Sequence, residues 1–256
     1  MRFATSERGL IEQMIWSDYL RHFEQNARRP LPAVRPEAMT PQRARALGRS
    51  LARFQLGEAG EGRIAHQIDS ARLPGVDDDY RAALKLFVRE EGRHARVLGL
   101  MVNALGAPML SKQWTERLFV HARRLMGIRF KLLVLLAAEV IGICFYGALS
   151  TAVPGSWASS LAQLCADEEV HLDFHCRFFS LQPGLAGEML RLAWRPLGWL
   201  AALTVLLDHR RTLSALGLSP GATWALMRAR VDEAAVKMRP ADYSTWARSR
   251  SSASSH

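Results

Sequence analysis

Two Glu-x-x-His segments, Glu91-Gly-Arg-His94 and Glu168-Glu-Val-His171, constrain this chain more than any other feature. Residues three apart lie on one face of a helix, so each pair can aim a carboxylate and an imidazole at one ion. Donors of this kind suit iron, manganese or zinc. One such pair arises often by chance. Here, however, each pair sits on a stretch that reads as a helix, and another helix with a lone Glu among apolar residues precedes it. Those residues are Glu58 in ARFQLGEAGEGRIA and Glu139 in LLAAEVIGI.

In an antiparallel hairpin, residues equidistant from the turn stand level. The midpoint between Glu58 and Glu91 falls at Pro74-Gly75, inside the turn segment LPGVDDD. The midpoint between Glu139 and Glu168 falls at Val153-Pro154, where Val153-Pro154-Gly155 breaks the helix. Two such hairpins face to face bring four Glu and two His to one level. This is the di-metal carboxylate arrangement, a Glu from each of two helices and Glu-x-x-His from the other two. Glu61, one turn beyond Glu58, has its midpoint in the same turn and is an equal candidate. Each carboxylate lies in a row of apolar or small residues, where an unpaired charge is costly and metal coordination removes the cost.

Long stretches without Gly or Pro, rich in Leu, Ala and Arg, predict an all-α fold. Residues 1–40 read as an N-terminal helix over 4–26 and a Pro-rich linker. Residues 41–182 read as a ferritin-like four-helix bundle with helices at 41–71, 78–104, 128–150 and 156–181. The segment 105–128, with a short helix at 111–125, is long enough to cross from one hairpin to the other. Helices at 186–215 and 221–238 then pack on the bundle as residues 183–240, and the tail 241–256 reads as disordered.

Residues 132–149 nearly match a membrane span, but Glu139 at their centre is costly in lipid. A helix buried on all sides in a bundle explains the same pattern, so a membrane partner is not expected. The net charge of +10 suits an anionic partner such as nucleic acid, an anionic membrane face or an acidic carrier protein. No basic run or motif marks a nucleic-acid patch, so nucleic acid is not expected, and Arg-biased composition accounts for the charge. Three cysteines and an N-terminus without an apolar signal core predict a cytoplasmic protein without disulfides.

Taken together, these segments resemble the ferritin-like di-iron carboxylate superfamily over residues 45–180. LGEAGEGR resembles the first-helix motif of rubrerythrins, which maps the metal-binding Glu to Glu58. REEGRHA resembles the second-helix motif of acyl-carrier-protein desaturases, and ADEEVH resembles the last-helix motif of desaturases and alternative oxidases. The chain lacks the C-x-x-C rubredoxin segment of full rubrerythrins and is shorter than a typical desaturase.

The resemblance and the donor set imply two iron ions, or a manganese–iron pair, held by Glu58, Glu91, His94, Glu139, Glu168 and His171. They imply an oxidoreductase that activates dioxygen or peroxide with an external electron donor and oxidises a small, hydrophobic or carrier-bound substrate. The alternative is a peroxide-scavenging or ferroxidase-type protein without an organic substrate. A homodimer is left open. By resemblance to desaturases Asp167 holds His94, and Glu90 symmetrically holds His171, since ligating imidazoles usually donate their second N–H to a carboxylate. His175 is a candidate seventh donor or a hydrogen-bonded interior histidine. Tyr146 is a candidate redox or proton partner or a core residue.

Overall fold

The computed structural model describes residues 15–36, 38–59, 64–111 and 127–240. They form α1 (Trp16–Arg28), α2 (Pro41–Glu58), α3 (Ile64–Gln67), α4 (Asp78–Ala104), α5 (Ile128–Ser150), α6 (Gly155–Ser180), α7 (Gly184–Ala215) and α8 (Pro220–Lys237), with no strand among the described residues. The expected segments 4–14, 112–126 and 241–256 lie outside them, as does Glu61.

Local chemistry sets the helix starts. Thr40 accepts from Arg43 N ahead of Pro41, Asp77 accepts from Tyr80 N ahead of two further aspartates, and Ser219 accepts from Ala222 N ahead of Pro220. Each side chain satisfies an amide that the first turn leaves without a partner. Two elements differ from expectation, and the first is the helix read over 4–26, which starts at Trp16 after an extended Ile15 and runs to Arg28. The second, the helix predicted over 41–71, ends at Glu58, and the short α3 follows. Gly57, Gly60 and Gly62 crowd that point, and glycine is about 1 kcal/mol worse than alanine inside a helix.

The helices pair as two antiparallel hairpins. In α2 and α4, Gly48 faces Ala107 just beyond α4, Gln55 reaches Gly99, and Glu58 bonds Glu91. In α5 and α6, Cys165 donates to the Ile143 carbonyl and Glu168 packs on Gly142. The hairpins meet through Phe54 stacked on Phe145, with ring centroids 4.6 Å apart, and through the carboxylate and imidazole layer described below. Gly75, with φ 74°, takes the left-handed turn that only glycine adopts easily, and sits against Leu181.

Two outer elements close this arrangement. Helix α1 packs along α4 and over α6, where Tyr19 bonds Asp173 and the Phe23 ring meets Phe174. Helix α7 packs on α2, α5 and α8. A buried polar chain fixes its place: Thr212 donates to the Ala46 carbonyl, and Ser50 Oγ lies 2.7 Å from His209 Nδ1. By length and hydropathy α5 and α7 pass for membrane spans. Helix α5 is enclosed by protein, whereas most of the apolar stretch of α7 is not.

Candidate metal centre

The four central helices bring Glu58, Glu91, His94, Glu139, Glu168 and His171 together at one level. One ligand atom from each of Glu91, His94, Glu168 and His171 lies within 4.8 Å of the others, and all four residues are buried. His171 Nδ1 stands 3.0 Å from Glu91 Oε1, 3.0 Å from Glu168 Oε2 and 3.4 Å from Glu139 Oε2. His94 Nδ1 stands 3.1 Å from Glu168 Oε1 and 3.6 Å from Glu91 Oε1. Both imidazoles thus turn the same nitrogen toward a shared group of carboxylates. Glu58 closes one side, half-buried at the end of α2, where it bonds Glu91 and accepts from the Tyr146 hydroxyl at 2.5 Å.

The opposite nitrogens point outward to carboxylates one residue before a cluster Glu. His94 Nε2 lies 3.4 Å from Asp167 Oδ2, and His171 Nε2 lies 3.3 Å from Glu90 Oε2. Each helix therefore contributes one carboxylate to the cluster and the next one back to the other helix's histidine. The resemblance to desaturases implied this exchange, and the geometry brings the same pairs together. What supports it was not legible in the sequence. Arg29, just after α1, donates to Asp167 at 2.6 Å and reaches to 3.5 Å from Glu90, while Asn26 donates to Glu90 at 2.8 Å. The Phe23 ring lies 5.7 Å from that of His171. Residues three apart at the end of an N-terminal helix are a weak clue to this, and they carry no ligand-type pattern.

Charge is strongly frustrated without an ion. Burial, then the charges of Glu91 and Glu168, push the Glu58 carboxyl well above its ordinary range. Burial, then Glu168 and Glu91, do the same to Glu139. Burial also works against an ionised Glu168. There, hydrogen bonds from Glu139 and His171 and the charge of His94 outweigh it and hold the carboxyl well below the usual range. Burial pulls the His94 imidazole down, but Glu168, Asp167 and Glu91 outweigh it and hold it up at about 10. These shifts favour protons on groups whose donor atoms could instead face cations. Even so, Glu91 Oε1 and His94 Nδ1 make no hydrogen bond of proper geometry, and a buried polar atom left so is costly. The donor set and these orphaned atoms fit a metal centre.

The remaining candidates separate clearly. His175 is fully buried, with Nε2 3.9 Å from Glu139 Oε1 and neither ring nitrogen hydrogen-bonded. Burial and the neighbouring His171 pull it to about 3, so it is neutral, and it packs edge-on to Phe87. Tyr146 is buried beside Glu58, and burial with the Glu58 charge pushes its hydroxyl well above the ordinary range. Glu169 points away to Arg230 of α8, as its spacing from His171 requires. Cys165 is pushed up to about 11 by burial, which keeps it a thiol.

No protein-family model matches the sequence, and no curated protein and no solved structure shows significant similarity to it. What is established is a chain that is helical, without strands, among the described residues, with a buried carboxylate and histidine cluster able to hold metal. Its chemistry has to come from the side chains.

Proposed function

We propose that the chain is a ferritin-like di-iron oxidoreductase that activates dioxygen and oxidises a small hydrophobic or carrier-bound substrate. The observation that carries this reading is the convergence of four carboxylates and two imidazoles from four helices, with buried donor atoms that no hydrogen bond satisfies. Four ionised carboxylates balance two divalent cations, and neutral imidazoles add donors without adding charge. Two irons held by these residues would supply redox chemistry toward dioxygen or peroxide, with electrons from an external donor.

The chain's own residues do the rest. His94 and His171 offer Nδ1 inward, while Nε2–H donates outward to Asp167 and Glu90, which fixes the tautomer and the ring plane. Arg29 offsets the charge of both outer carboxylates. Tyr146 orients Glu58 and holds a proton at Glu58 Oε1. Glu58 is the half-buried member of the cluster and lies next to exposed Gly57 and Ala59. Phe54 and Phe87 keep the surroundings apolar and exclude water.

Anaerobic loading with Fe(II), followed by oxygen-uptake measurement, tests this reading. The expected result is uptake that requires an added reductant and rises with a hydrophobic acyl substrate. Sustained peroxide or Fe(II) turnover with no organic additive would assign scavenging or ferroxidase activity instead. Failure to bind iron would end both readings.

A further inference from the structure

Helix α7 carries a feature that the metal centre does not use. Leu185, Met189, Leu192, Leu200, Leu203 and Leu207 recur at three, four and eight residues and share one face. That face points to solvent: Leu185 is 72% exposed, Leu192 78% and Leu200 64%. Pro196, also exposed, falls on the same line. The stripe is roughly 33 Å long by the helical rise. Soluble monomers rarely leave so continuous an apolar surface uncovered.

The stripe runs into a basic groove. A cavity of about 810 Å³ between α7 and α2 is lined by Arg45, Arg49, Arg210 and Arg211, with Leu207 belonging to both features and no carboxylate in the lining. The nearby Asp208 is paired with Arg53 at 3.3 Å. At the stripe's edge, the Arg228 guanidinium lies 5.6 Å from the centre of the Trp199 ring and 6.0 Å from that of Trp224. Tryptophan and arginine of this kind favour the boundary between apolar and aqueous phases.

We infer that the outer face of α7, with the arginine groove at its C-terminal end, docks the protein on an anionic membrane surface. One occupant then satisfies both features: acyl chains take the leucines and lipid phosphates take the arginines. Helix α7 lies in the plane of the membrane and does not cross it, because its other face is packed on α2, α5 and α8. A second copy is the poorer occupant, since each chain carries +10 and like charges repel. This proposal departs from the expectation that a membrane plays no part. It does not depend on the metal reading.

Sedimentation of the full chain with phosphatidylcholine vesicles, with and without phosphatidylglycerol, tests it. The expected result is binding to the anionic vesicles that weakens with salt. Arg210→Gln/Arg211→Gln, on exposed positions, should lower partitioning on the order of 30-fold. Leu192→Glu/Leu203→Glu should abolish it while helicity stays unchanged. Four results would overturn the proposal. The wild type could stay in the supernatant, or the arginine variant could bind as well as wild type. A dimer split by the leucine variant, without vesicle binding, would give the stripe to a second copy. Inorganic phosphate held in the groove with no vesicle binding would likewise reduce it to an anion site.

Discussion

Arg29 donates to Asp167 across 138 positions of sequence and so ties the N-terminal helix to the outer nitrogen of His94. Arg29 is about a third exposed, so as a surface ion pair it would add little stability. Its effect is on orientation. Partners behind a metal-ligating histidine typically change metal affinity by about 10–100-fold when removed. Arg29→Ala should therefore weaken Co(II) or Fe(II) binding by about tenfold or more in a competitive titration, while circular dichroism stays unchanged. Arg29→Lys should recover only part, because lysine lacks the forked guanidinium that reaches both Asp167 and Glu90. Unchanged affinity in Arg29→Ala would remove α1 from the account of the site.

Gly48 and Gly92 should respond to alanine in opposite directions. A Cβ at Gly48 would stand 2.6 Å from Ala107 Cβ, so the α2–α4 hairpin must open. Gly48→Ala should cost about 1–3 kcal/mol, read as a lower midpoint in urea unfolding. At Gly92, inside α4, an added Cβ meets nothing within 4 Å. Gly92→Ala should stabilise by about 0.5–1 kcal/mol through helix propensity. Equal effects at the two positions would contradict the close contact.

His209 should stay neutral well into acid. Burial, then the Arg53 charge, pull its imidazole to about 3 from 6.5. The folded state thus disfavours the protonated form. Its contribution to stability is full above pH 6.5 and is lost as the pH falls toward 3, at roughly 1.4 kcal/mol per unit. His209→Gln, which can keep the bond to Ser50, should flatten the pH dependence of unfolding across that window. Imidazole resonances of His209 that titrate near pH 6.5 would contradict the burial.

The heights of the cluster residues were legible because hairpin geometry needs only the distance to a turn, and prolines and glycines mark both turns. Glu91 with His94, and Glu168 with His171, followed from helical periodicity alone. The end of α2 was not legible, since Ile64 and Ile68 continue the apolar spacing beyond a glycine cluster that stops the helix. Nor was the support from Asn26 and Arg29, because no turn links α1 to α6 and register between distant helices is set by packing. The stripe on α7 reads in sequence as an ordinary core helix. Only its position at the edge of the fold shows that the leucines are left outside.

Iron bound per chain tests the central claim most directly. After anaerobic reconstitution and removal of free ions, wild type should retain two irons per chain. Glu91→Ala/Glu168→Ala should retain none while remaining helical. Two irons held by that double variant would mean that the cluster between the hairpins is not the metal site.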